Sequence, residues 1–162
     1  MASSVATAAP DVFVRAHTPQ HRIAEWEDVC LFMWMNGVTL EGLAAARESH
    51  RAVAERYGKA CSITYARTGS PLPAPGARQE AARLMREVAS TQAYSIVVLE
   101  GNGFWASAAR GAITAIQVLS MNIYPLRVSS SIPAGTQLLA ERTGRSHAWA
   151  GELQAAVLNV LG

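Results

Sequence analysis

The chain is predicted to fold as a single α/β domain, a mixed but mostly parallel sheet with flanking helices. Three observations lead there. Tyr94-Ser95-Ile96-Val97-Val98-Leu99-Glu100 is a short apolar run rich in β-branched residues and bounded by Gly101-Asn102-Gly103; that pattern belongs to a central strand covered on both faces. From Val29 onward, short apolar runs alternate with longer segments of helical period. Strands joined through helices imply right-handed crossovers and parallel pairing. Finally, the chain has 162 residues, 50% of them hydrophobic and 16% charged. It is therefore globular and long enough to bury about two-thirds of its extended surface around one core.

Residues 1 to 10 are small and polar and are expected to form a disordered tail, with the domain spanning 11 to 162. Asp11–Ala16 alternates weakly and reads as a first, edge strand, and His17–Asp28 as a second. Val29–Met35 is continuously apolar and ends at Asn36-Gly37, a turn signal, so it reads as an interior strand. Thr39 fits a helix N-cap, with Glu41 in the first turn. The helix it opens runs to Tyr57 and stops at Gly58, with Leu43, Ala46, His50, Val53 and Tyr57 as its inner face. Ala60–Tyr65 is the next strand. Thr68–Gly76 is a proline-rich loop expected to be exposed, followed by an amphipathic helix from Ala77 to about Thr91 that turns Ala81, Leu84, Met85 and Val88 inward.

After the central strand, Phe104–Met121 is too long for a strand. Its polar residues Ser107, Arg110, Thr114 and Gln117 form one narrow stripe, leaving an apolar arc wider than the roughly 100° a surface helix needs. Within it, Ser107, Gly111 and Ala115 make a row of small residues spaced four apart. The row suits either seating on the sheet or contact with a partner; Phe104, Ser107, Ala108, Gly111 and Ala115 are the candidate interface. Tyr124–Val128 reads as a last strand, Ser131 as the cap of a helix over 132 to 142 closed by Gly144, and Ser146 as the cap of a terminal helix.

Chemistry is sparsely marked. The 14 basic residues exceed the 12 acidic ones by two and are scattered, without the basic clusters of nucleic-acid binders. No run reaches 18 apolar residues, and the N-terminus lacks the basic and apolar regions of a signal peptide; a cytoplasmic location is expected, with no membrane and no nucleic-acid partner. Cys30 and Cys61 fall in apolar strands as buried free thiols. His17 and His21 stand four apart, but Pro19 between them denies the helix that would make them metal ligands; no metal and no cofactor are expected. His50 reads as a core or interface histidine in preference to a base. Glu100 with Gly101-Asn102-Gly103, at the carboxyl edge of the central strand, is the candidate ligand-binding segment, weighed against a plain tight turn. Neither a phosphate-binding glycine motif nor a nucleophile elbow occurs, so a non-catalytic protein is favoured over an enzyme.

The order of elements resembles the STAS fold, the sulfate-transporter and anti-sigma-factor-antagonist domain, and more nearly its divergent antagonist-like bacterial branch. Met33-Trp34-Met35-Asn36-Gly37-Val38-Thr39-Leu40-Glu41 is similar to the apolar strand, glycine turn and Thr-Leu-Glu helix start of that branch. Val97–Gly101 through Ala109–Gly111, and Arg127-Val128 through Gln137–Ala140, carry the rest of the likeness, which covers residues 11 to 143. The resemblance implies a non-catalytic regulatory module that binds another protein, or occasionally a small ligand; self-association as a homodimer or higher oligomer is expected from the wide apolar arc of the Phe104–Met121 helix. Phosphorylatable antagonists have Asp-Ser-x-Gly after the strand matching Ala60–Tyr65. This chain has Thr68-Gly69-Ser70-Pro71 there, so Ser70 is not expected to be a phosphorylation site. The alternative to an interaction module is a small-molecule-binding protein or enzyme with its site around Glu100–Gly103 and the Ser70 loop.

Overall fold

A computed structural model describes residues 10–162. The expected tail therefore lies, except for Pro10, outside the described residues. The α/β class holds: a six-stranded sheet is built from β1 (Phe13–His17), β2 (His21–Trp26), β3 (Val29–Trp34), β4 (Ala60–Ala66), β5 (Gln92–Leu99) and β6 (Leu126–Ser129), in that spatial order. The first three strands pair antiparallel and β3 through β6 pair parallel. The connecting helices are α1 (Leu40–Tyr57), α2 (Pro75–Val88) and α3 (Phe104–Leu119); α4 (Ile132–Arg142) and α5 (His147–Leu161) follow β6.

Each parallel connection steps one strand further along the sheet. Right-handed crossovers that all step the same way place α1, α2 and α3 on one face, and α4 and α5 cover the other. Strand alternation separates the two cores. Leu31, Met33, Ile63, Ile96 and Val98 face Leu139, Leu153 and Val157 of the paired helices α4 and α5 in a continuous apolar cluster. On the opposite face the clusters are smaller and separate: Ile23 and Trp34 with Leu43 and Ala46, and Val97 and Leu99 with Ala109.

The caps fall as expected: Thr39 Oγ1 accepts from the Gly42 N–H, Ser131 from Ala134 and Ser146 from Trp149. Several boundaries move. α2 begins at Pro75, two residues before Ala77, because proline's fixed φ suits the first helical position, where its missing N–H costs nothing. It ends at Val88, since Gln92 already pairs with Ala60 in the sheet. β2 starts only at His21, after a turn in which Thr18 bonds back to that residue. β6 is short and begins at Leu126, and Tyr124 precedes it in a bend. Tyr57, expected inward, is half-exposed at the last position of α1, immediately before the Gly58 cap.

Two glycines mark where helices come closest to other elements. A Cβ on Gly42 would lie 2.4 Å from a ring carbon of Trp34, and one on Gly135 would lie 2.9 Å from Val98 Cγ2. Gly111 faces open space, with nothing within 4 Å of the same position. Gly42→Ala and Gly135→Ala are each expected to lower stability by about 1–3 kcal/mol through overpacking. Gly111→Ala should raise it by up to about 1 kcal/mol from helix propensity alone. Urea denaturation of the three variants checks all of this; equal effects at all three positions would contradict the packing described.

Candidate functional site: a cavity beneath the three crossover helices

The side chains that β4 and β5 turn toward α1–α3 are small. Alternation along β4 sends Cys61, Ile63 and Tyr65 to the α4–α5 side and Ser62, Thr64 and Ala66 to the other. β5 adds Ser95, and α3 meets the sheet through Ala106, Ala109 and Ala112. Small residues on both surfaces leave a cavity of about 180 Å³ between sheet and helices. An apolar cavity of about 150 Å³ is already large enough to take a benzene-sized molecule.

Phe32 and Trp34 of β3 wall the cavity on one side. Leu84, Met85 and Val88 of α2 and Ile113 and Ile116 of α3 roof it, and Trp105 stands at the start of α3. The inward residues of α2 are as expected, but each is only half-buried because it borders this space. The roof helices are tied at their outer edges. Arg47 of α1 pairs with Glu80 and Glu87 of α2, both at 2.7 Å, and Arg86 Nη1 donates to the Leu119 carbonyl of α3 at 2.7 Å. None of the described residues lining the cavity is Asp, Glu, Lys or Arg.

Polar groups gather at one end of the floor. Gln92 Nε2 donates to the Tyr94 carbonyl at 2.8 Å and to Ser62 Oγ at 3.2 Å; Ser62 Oγ lies 2.9 Å from Ser95 Oγ. His50 Nε2 is 2.8 Å from Thr91 Oγ1, whose hydroxyl hydrogen goes to the Val88 carbonyl at 3.2 Å. The imidazole is therefore the donor in that pair. Burial holds the His50 pKa below its ordinary 6.5, opposed by the neighbouring Gln92 side chain, and burial pushes the Tyr124 phenol up. Both titratable groups of the lining are thus kept neutral around pH 7.

The proline loop closes the end of the cavity nearest the carboxyl ends of the strands. Ser70, Pro71, Leu72 and Pro73 all line it, and the Trp105 indole N–H donates to the Ser70 carbonyl at 2.7 Å. Gly37, in the left-handed region at φ 89°, lets the turn after β3 pack on Pro71. The expectation of a fully exposed loop is corrected here: Leu72 is exposed, but Ser70 is buried, 9% accessible. Loop and helix are far apart in sequence, and nothing local announces their contact.

The expected ligand segment is not part of this cavity. Gly101, Asn102 and Gly103 are exposed in the turn before α3. Glu100 is half-buried and lies near Tyr65, on the α4–α5 side, where burial first and the Glu100 charge second raise the phenol pKa. Of the interface candidates, Phe104 is 92% accessible, Ser107 and Gly111 are exposed, and Ala108 and Ala115 are half-buried. The small-residue row therefore does not seat α3 on the sheet; Ala106, Ala109 and Ala112 do. Among the described residues no group of three His, Cys, Asp or Glu side chains is placed to hold a metal, and no helix is long and apolar enough to cross a membrane. His21 is buried beside Trp34.

Sequence reasoning passed over Ser62, Ser95, Gln92 and Trp105. The signal available was the alternation in β4, where the residues opposite Cys61 and Ile63 are small and hydroxylated. Comparison with known proteins brought no match: no family model, no curated protein and no solved structure is significantly similar to this chain.

Three outcomes follow from this geometry. Cys30 and Cys61 lie on opposite faces of adjacent strands, and burial pushes their thiols up to about 12 and about 11. Neither should react with a thiol reagent at pH 8 until denaturant is added; mass spectrometry of native and unfolded samples reads this directly. At Ser70, Ser70→Ala should be tolerated within about 0.5 kcal/mol, because the bond to Trp105 uses the main chain. Ser70→Asp should cost about 1–3 kcal/mol by burying a carboxylate without a partner, measured by chemical denaturation. For His50, the unfolded state takes up its proton first as pH falls through 6.5. Stability should therefore drop as pH falls from 6.5 toward the lower folded-state value. Melting curves between pH 8 and 5 should show a shallower acid loss for His50→Gln than for the parent.

Proposed function

We propose that this chain is a non-catalytic, STAS-like module that binds a small, neutral, mostly apolar molecule between its sheet and helices α1–α3. The observation that carries the reading is the cavity: about 180 Å³, walled by aromatic and aliphatic side chains, with a few convergent polar groups at one end and no charged side chain among the described residues of its lining. Such composition is the usual form of a small-molecule site. The neutral state of His50 and Tyr124 adds to it, since a charged ligand would find no counter-charge. Of the two alternatives the sequence left open, the small-molecule reading is the one favoured, with its site moved from Glu100–Gly103 to the cavity; the Ser70 loop remains one of its walls. The element order from β1 to α4 agrees with the STAS resemblance.

Trp34 and Trp105 both border the cavity, so their fluorescence reports occupancy. Toluene should change it saturably, and benzoate, of similar size but charged, should bind at least about a hundredfold more weakly, because its carboxylate would be buried unpaired. Ala112→Leu, which fills the space from α3, should weaken toluene binding at least about tenfold without unfolding the domain. Failure of toluene to bind the parent protein would end the reading.

A specific observation favours a second role for the outer surface of α3. Phe104, Val118, Leu119 and Met121 are accessible to 92%, 65%, 46% and 70%, an apolar exposure of the kind that marks contact sites. We propose self-association along this side, beside Ser107 and Gly111. Light scattering at micromolar concentration should find a dimer or larger species. Gly111→Leu, entering open space, should dissociate it while leaving toluene binding intact. A strict monomer for the unmodified chain would discard this role.

A further inference from the structure

Resting on the cavity as a ligand site, we propose that the molecule it takes carries a neutral hydrogen-bond-accepting oxygen, a carbonyl or ether, seated on the Ser62–Ser95 hydroxyl pair at the centre of the sheet. Gln92 Nε2 has two hydrogens, and its bonds to the Tyr94 carbonyl at 2.8 Å and Ser62 Oγ at 3.2 Å use both. The Tyr94 bond also fixes which end of the amide is nitrogen, since a carbonyl accepts only. Ser62 and Ser95 then hold one hydroxyl hydrogen each, and the 2.9 Å contact between their oxygens consumes one of the two. Whichever serine donates in that contact, the other keeps a hydrogen for which the described residues supply no acceptor.

Both serines are only 4% accessible and both line the cavity. A buried donor left unmet costs free energy that an acceptor from the ligand recovers. The oxygen must be neutral: the lining holds no Arg or Lys, and a carboxylate would lose its hydration without gaining a counter-charge. The apolar body of the ligand then extends from the serines toward Trp105 and the proline loop, over Val97 and Leu99.

The test uses acetophenone and its near-isostere α-methylstyrene, which has a methylene group in place of the carbonyl oxygen. Replacing both serines alone would leave free the Gln92 amide hydrogen that Ser62 Oγ accepts, so the test variant is Ser62→Ala, Ser95→Ala, Gln92→Met, which removes every donor of the group together. It should weaken acetophenone about tenfold, the loss expected for one neutral hydrogen bond, and leave α-methylstyrene within about twofold. Retained α-methylstyrene binding also certifies that the variant folds with its cavity intact. Infrared spectroscopy supplies a readout that needs no variant: the carbonyl stretch of acetophenone bound to the parent protein should fall below its frequency in an alkane. An alkane-like frequency, or equal effects of the triple variant on both ligands, overturns the proposal while toluene binding still upholds the cavity reading. If toluene, acetophenone and α-methylstyrene all fail to bind the parent protein, the cavity reading fails and this proposal with it.

Discussion

Three parallel crossovers that step the same way along one sheet govern this molecule. A right-handed connection that always advances to the next strand returns on the same face each time, so α1, α2 and α3 share one side of β3–β6. Nothing in those connections covers the other side. That face, carrying Leu31, Met33, Ile63, Ile96 and Val98, is closed by α4 and α5 after the sheet is complete. The two faces of the same strands are therefore packed by unlike sets of helices, and they have unlike interiors.

On the α4–α5 side, branched side chains on the strands meet Leu139, Leu153 and Val157, all fully buried, and Gly135 lets α4 come close to β5. On the crossover side the strands present Ser62, Thr64 and Ser95, and α3 answers with alanines. Volume lost on both surfaces is left as open space, with the aromatic rings of Phe32, Trp34 and Trp105 among the residues that border it. The cavity is thus a property of which residues oppose one another and belongs to no single segment.

That explains how much was legible beforehand. Element type and order follow from local signals: the apolar runs of β3 and β5, the Thr39, Ser131 and Ser146 caps, the glycine after α1. Boundaries moved where a non-local partner decided them, as when sheet pairing claimed Gln92 from the end of α2. The cavity lies away from the segment that local signals single out, for the same reason. Glu100–Gly103 has the local look of a ligand turn, yet Glu100 lies near Tyr65 on the far face. Ser70 looked like an exposed loop residue, and it is buried by a loop whose main chain receives the Trp105 indole hydrogen bond. Only the hydroxyl-bearing alternation of Ser62 and Thr64 pointed locally to an unusual face, and it gains meaning once α2 and α3 are known to lie above it.

A buried serine pair at the middle of a sheet is not what stability alone would select. Valine at either position would fill space and bury more apolar surface, at roughly 25 cal/mol for each Å² removed from water. The hydroxyls instead require partners, and the described residues accept only one of their two hydrogens. Such a concession is tolerable when the remaining core is dense, and here the dense core lies on the opposite face of the same two strands. β4 and β5 are held in register by their parallel neighbours and by the α4–α5 layer. The positions of Ser62 and Ser95 are consequently set by rigid backbone and do not depend on how the crossover side is filled. Groups fixed in this way present their hydrogen-bonding capacity at a constant place, which is the condition a binding site needs.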